Sequence, residues 1–181
     1  MIKLHIGCGK RYFPGWVHID GGNYSHVNIK TSDLSILPFE PNSVDLIYAS
    51  HVIEYYDRDE ITSVLSEWFL TLKPGGILRL AVPDFETMVR LYLYNDYNIE
   101  YFLGPLYGKM KMDDRIIYHK TAYDFMSLKN ILYDIGFKDV YKYDWRKTDH
   151  AQFDDHSQAY MHPKGDKIKG TLISLNIEAV K

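Results

Sequence analysis

Residues 3–20 read KLHIGCGKRYFPGWVHID. One apolar run (Leu4, His5, Ile6) stops at Gly7-Cys8-Gly9, and a second, Trp16 to Ile19, stops at Asp20. Glycines at a strand end let a ligand approach the backbone closely. Their spacing decides which ligand. The dinucleotide fingerprint needs a third Gly so that the next helix can pack near the strand, and that position is Tyr12. No Gly-Lys-Ser/Thr phosphate loop is present. Asp20 follows Gly7 by 13 positions, against about 20 in the dinucleotide pattern. That leaves little room for a full helix, and Pro14 disfavours one further. A ligand with no phosphate loses nothing by the absence of a helix N-terminus.

What remains is a glycine turn beside a carboxylate able to accept both hydroxyls of a ribose. That combination suits a nucleoside such as S-adenosylmethionine. The rest of the chain extends the reading. Ile2–Ile6, Trp16–Ile19, a weaker His26–Ile29, Val44–Ala49 and Ile77–Val82 read as strands. Leu37 to Ser43 is turn chemistry. Ile61, Val64, Leu65, Trp68, Phe69 and Leu72 recur at steps of three and four, one apolar helical face. Lys73-Pro74-Gly75-Gly76 stops that helix. Pro83-Asp84 opens another, with Phe85, Met88, Val89 and Tyr92 on one face. Residues 94–118, rich in Tyr, Met and Asn, read as an insertion or lid. Thr121 to Asp124 suggests a capping box before Phe125, Leu128, Leu132 and Ile135, and Gly136 closes that helix. Val140–Trp145 and Thr171–Val180 read as two last strands, around a polar loop at 146–169. Strands alternating with helices predict a mostly parallel α/β sheet. The final two strands lack a helix between them and can pair as an antiparallel edge.

The 181 residues favour a single domain spanning 1–181. Composition is that of a globular chain, with 46% hydrophobic and 25% charged residues and a net charge of -3. That balance lacks the basic footprint of a nucleic-acid binder. One cysteine, Cys8, excludes an internal disulfide and disfavours a cysteine-held metal. No apolar run approaches the roughly 20 residues of a membrane span, and no signal peptide is evident. A cytoplasmic protein with no membrane or nucleic-acid partner is expected. Oligomeric state is not legible.

At this point the sequence resembles class I S-adenosylmethionine-dependent methyltransferases, of the kind labelled type 11. It is most similar to a small branch that reads Gly-Cys-Gly, a short loop, Gly-Trp, then Asp. HIGCG (residues 5–9) resembles the first motif, with Arg11 in place of the usual fifth-position Gly. GWVHID resembles the second strand and its ribose acid. SDLSILPFEPNSVDLIYASHVIEYY resembles the adenine and fourth-strand region, and LKPGGILRLAVPD the strand after it. DDHSQAY and SLNIEAVK resemble the end of that branch. The resemblance implies a single-domain, Rossmann-like sheet of order 3-2-1-4-5-7-6, strand 7 antiparallel, with helices on both faces. It implies that Gly7, Cys8 and Gly9 approach the methionine part of the cofactor and that Asp20 binds the ribose hydroxyls. Asp33 and Leu34 would lie along the adenine, and Ser50 and His51 would face the sulfonium.

Each residue also has a structural reading. The glycines could only turn the chain, Asp33 could be a turn residue, and Cys8 a small residue with no thiolate activation. Asp45 reads as structural. His51 is the candidate base by position. Glu54, three residues on, could orient it or cap a helix. Asp84 and His119 lie at strand-to-helix junctions, where open α/β sheets place ligands. His150, Asp154, Asp155, His156 and His162 tempt a metal reading, but they lack a tight His-x-x-x-His pair. No metal is expected there, and that loop reads as a lid over substrate. The expected reaction is methyl transfer from S-adenosylmethionine to an O or N of a small-molecule acceptor, a sugar or other metabolite, leaving S-adenosylhomocysteine. Two rivals stand beside it. One is a silent protein that binds the cofactor or its product as sensor or scaffold. The other is a nucleotide-dependent oxidoreductase, against which the missing third Gly argues.

Overall fold

The computed structural model describes residues 1–95, 97–112, 115–161 and 163–181. Seven strands form the central sheet: β1 (Lys3–Ile6), β2 (Val17–Asp20), β3 (Ile29–Lys30), β4 (Val44–Ser50), β5 (Leu72–Pro83), β6 (Lys138–Lys142) and β7 (Ser174–Val180). Their order is β3-β2-β1-β4-β5-β7-β6. The pairs β1/β2, β1/β4, β2/β3 and β4/β5 are parallel, and β7 runs antiparallel to both β5 and β6. This is the expected sheet.

Strand side chains alternate between faces, and the two faces differ here. Leu4, Ile6, Ile47, Leu78, Leu80 and Ile177 point to one side. They share a core with Val64, Leu65 and Trp68 of α1 (Ile61–Thr71) and with Leu128 and Leu132 of α4 (Phe125–Ile135). On the opposite face lie His5, Tyr48, Arg79 and Glu178. Over β1 and β4 that face is covered by loop side chains. Phe13 and Trp16 pack with Leu46 and Tyr48, and Phe153 packs against them. The segment that bridges β1 and β2 therefore supplies aromatic cover where a helix has no room.

Residues 145–158 complete this layer. His150, Asp155, Ser157 and Gln158 are buried. The Tyr48 hydroxyl donates to Asp155 at 2.5 Å, and the Asn176 amide to the Ser157 carbonyl at 2.8 Å. Arg79 donates to Glu178 at 2.6 Å and to Asp149 at 3.1 Å, while Lys3 also pairs with Asp149. Through Asp149 and Asp155 the polar loop is thus tied to side chains of the underlying strands, while Asp154 pairs with Lys167 inside the loop.

Several boundaries move for local reasons. Lys73-Pro74-Gly75-Gly76 ends α1 as expected, but it also opens β5, because Gly75 and Gly76 pair with Lys181 at 2.9 and 3.0 Å. The cap of α4 is Asp124 with Ser127 in a reciprocal box; Thr121 instead donates to the Tyr56 carbonyl at 3.0 Å. Strand β6 starts two residues earlier than read, and Trp145 begins a 3-10 turn capped by Asp144. Thr171–Leu172 leave the sheet to pair with Tyr160–Met161. The insertion at 94–118 holds α3 (Glu100–Tyr107) and a ribbon of Met110–Met112 with Arg115–Ile117. Before it, α2 (Phe85–Tyr94) buries Met88 and Leu91 against Phe102, Met161 and Ile173.

Candidate active site

The glycine turn leaves β1 through two left-handed residues, Gly7 at φ +63° and Gly9 at φ +54°. A Cβ at Gly7 would meet Val52 Cγ2 at 2.4 Å, whereas one at Gly9 would meet nothing within 4 Å. Gly7 is therefore needed for packing, and Gly9 presents bare backbone to open space. Asp20, at the end of β2, lies beside it. Its Oδ2 accepts from the Gly9 N–H at 2.8 Å and its Oδ1 from the Gly22 N–H at 2.6 Å. Each carboxylate oxygen keeps further acceptor capacity. The carboxylate is thus held at a fixed angle, half-exposed, with capacity left for a ligand's hydroxyls.

Cys8, between the glycines, is buried. Burial, with Asp20 next in effect, pushes its thiol up to about 12. Such a thiol stays protonated at neutral pH. Asp33 is exposed and turned onto Ser35, accepting from its hydroxyl at 2.5 Å and its N–H at 2.9 Å. The Ser35 hydroxyl lowers its carboxyl. Leu34 leans on the main core, and its carbonyl accepts from the Trp68 indole at 2.8 Å. The loop that carries both residues is thereby fixed to α1.

Strand β4 ends in Ser50-His51. The Ser50 Oγ and the His51 Nε2 are buried without a hydrogen-bond partner among the described residues. His51 has the left-handed φ of +56°, rare outside glycine, and its N–H donates to the Ala81 carbonyl at 2.8 Å. Such strain persists where the surroundings over-determine it. The next turn, Ile53–Tyr55, is a 3-10 turn. It brings Glu54 Oε1 to 3.4 Å from His51 Nδ1 and 3.9 Å from His119 Nε2. The Glu54 carboxyl is fully buried with no hydrogen bond of its own. Burial pushes it up to about 8. Burial, with His156, His119 and Arg11 nearby, holds the His51 imidazole well below 6.5.

His119 joins from the far side of the insertion. Its Nδ1 lies 3.0 Å from the Pro105 carbonyl, which can only accept, so Nδ1 carries the proton and Nε2 faces Glu54. Burial lowers its imidazole too. Gly108 closes the approach. At φ +48° its Cβ would sit 2.0 Å from His119 Nε2, and its carbonyl accepts from the Tyr55 hydroxyl at 2.9 Å. His156 stacks obliquely 4.9 Å from His51, while His119 is 6.5 Å away.

The structure therefore gathers His51 and His119 around Glu54, and sets Gly7, Gly9 and Asp20 together. Asp84 is elsewhere engaged: it caps α2 and accepts from the Thr87 hydroxyl at 2.8 Å. Asp45 ties strands, accepting from the Ile2 N–H at 2.6 Å and Lys73 at 2.9 Å. Among the described residues no three His, Cys, Asp or Glu side chains converge as a metal set. His162 lies outside the described residues. No described helix is long and apolar enough to cross a membrane.

The methyltransferase-domain family model matches residues 17–80, which run from β2 through β4 and α1 into β5. No curated protein sequence matches the chain. Solved structures similar over 99% of the chain include an S-adenosylmethionine-dependent methyltransferase from Archaeoglobus fulgidus, with 85% of that chain covered, 16% identity and a TM-score of 0.59. A possible histamine N-methyltransferase from Thermotoga maritima is similar at 15% identity over 82% of its own length, with a TM-score of 0.59. A methyltransferase from Methanosarcina mazei is similar at 18% identity over 91% of its length, with a TM-score of 0.58. At such identities the structural likeness speaks for the fold alone. Residues 17–80 thus match a methyltransferase domain, within a fold that the whole chain shares with S-adenosylmethionine-dependent methyltransferases.

Proposed function

We propose that this protein moves the methyl group of S-adenosylmethionine to an O or N atom of a small-molecule acceptor, with His51 as the base. The observation that carries the reading is the buried His51–Glu54–His119 cluster at the end of β4, in a chain whose β1 turn pairs bare backbone with a pinned carboxylate. That turn fits the cofactor: Gly9 leaves space and Asp20 keeps acceptor capacity for a diol. Gly7, Cys8 and Gly9 would line the methionine end, Asp20 would hold the ribose, Asp33 and Leu34 would border the adenine, and Ser50 would face the sulfonium. When bound, the cofactor supplies an electrophilic methyl group, so no protein nucleophile is needed.

The chain must then align the acceptor, exclude water and take a proton. Burial holds His51 neutral, and its Nε2 has no partner among the described residues, so when Glu54 is ionised that lone pair is the seat for the acceptor's proton. Glu54 selects the tautomer. When ionised it accepts from Nδ1–H and leaves Nε2 basic. When protonated it donates to Nδ1 and Nε2 carries the hydrogen instead. Glu54 is therefore a positioning residue. His119 meets the same carboxyl from the insertion, and Asp84 caps α2. The acceptor is a small molecule, with nothing in the charge pattern to draw nucleic acid. Isotope-labelled methyl transfer to pooled small metabolites tests this. His51→Gln is expected to slow transfer about 10²- to 10⁴-fold with S-adenosylhomocysteine affinity unchanged. Transfer at the wild-type rate by that variant would remove His51 as the base.

A further inference from the structure

We propose that Arg11 anchors the carboxylate at the methionine end of the cofactor, gripping it with the free edge of its guanidinium beside the glycine turn. This rests on the cofactor reading given above. Arg11 stands two residues after Gly9 and its N–H donates to the Cys8 carbonyl at 3.0 Å, so the turn itself fixes where the side chain starts. The side chain is half-buried, and its Nε donates to the Asp154 carbonyl at 3.0 Å. Among the described residues no carboxylate pairs with it and no hydrogen bond takes its Nη nitrogens.

The contrast with Arg79 is informative. That guanidinium is buried, and the chain gives it two carboxylates, Glu178 and Asp149. Arg11, half-buried at the edge of the turn, holds its Nη groups without a partner among the described residues, so they can take an anionic group of a ligand. Its cationic field reaches His5, His51 and His156 and lowers all three imidazoles. With Nε already pinned, the remaining N–H groups form a planar fork matched to a carboxylate. An acidic acceptor could offer the same group. Arg11, however, belongs to the cofactor turn, whereas the insertion that fronts His119 comes from α3 and Gly108. The cofactor's own carboxylate is therefore the partner assigned.

Titration calorimetry with two nucleosides separates the possibilities. S-adenosylhomocysteine carries the amino-acid end; 5′-methylthioadenosine keeps the adenosine and sulfur without it. Arg11→Met is expected to weaken S-adenosylhomocysteine about 10- to 100-fold, the scale of a charge-assisted contact. Methylthioadenosine affinity should be unchanged, which also reports that the turn is intact. Arg11→Lys should recover part of the loss. Equal losses for both ligands, or none for either, would overturn the anchor. A wild type that binds neither nucleoside would overturn the cofactor reading itself, and the anchor with it.

Discussion

Glu54 lies buried between His51 and His119. Its folded value of about 8 lies above its ordinary 4.5, because a buried carboxylate is poorly solvated. The folded state thus holds a proton that the unfolded chain releases. Stability from this group is complete below 4.5 and is lost as the pH rises through about 8. Glu54→Gln should therefore melt at a higher temperature than wild type above pH 8 and at the same temperature near pH 4. The same proton governs His51. Methyl transfer by wild type is expected to rise through an apparent pKa near 8, and that limb should vanish in Glu54→Gln. A rate profile left unmoved by the substitution would make Glu54 a packing residue. The sequence made the His51–Glu54 spacing legible, since an i,i+3 pair meets within one turn. It left open whether the carboxyl orients a base or caps a helix, and the buried geometry favours the former. Arg11 was visible only as a charge where the family pattern has glycine. Its missing counter-ion is a three-dimensional fact.

The elements around these residues differ in how openly the chain announces them. Both α1 and α4 follow from apolar steps of three and four, and the punctuation by Pro, Gly and Asp is local. The cap of α4 was displaced in the reading because Thr121 and Asp124 are both capping types. Only the structure tells that Thr121 is spent on Tyr56. Asp124→Ala should cost about 1 kcal/mol, measured by denaturant unfolding, and Thr121→Ala should leave the helix start intact. Residues 94–118 lacked a clear period, yet α3 forms there, and its C-terminal Gly108 presses on His119. Gly108→Ala would force a Cβ into the imidazole and strain a left-handed residue. It is expected to lower kcat while S-adenosylhomocysteine binding stays at the wild-type level. Loss of binding with unchanged turnover per bound enzyme would place the insertion against the cofactor instead.

For the molecule as a whole, the sheet order was legible and the second face was not. Strand periodicity and turn chemistry are short-range, whereas the cover of that face joins residues such as Tyr48 and Asp155, 107 positions apart. It takes three buried histidines, His5, His18 and His150, into one aromatic layer. His5 stacks on Phe13 at 4.2 Å, and His150 on Phe13 at 5.1 Å. Burial depresses all three imidazoles, His150 to about 4. Their neutral form is the one that packs, so stability is whole above the ordinary 6.5 and falls as pH drops from there toward about 4. Both ring nitrogens of His150 lack hydrogen-bond partners among the described residues. His150→Phe keeps the stack and removes the titration, so it should flatten the acid limb of a melting-temperature profile below pH 6.5. An unchanged limb would assign acid sensitivity to other groups.

The central claim is that Asp20, pinned by the Gly9 and Gly22 amides, holds the cofactor's ribose. Calorimetric titration of S-adenosylhomocysteine into wild type and Asp20→Ala measures it directly. Wild type should bind, and the variant should lose at least about 1.5 kcal/mol of affinity. Equal binding by the two proteins would contradict the account.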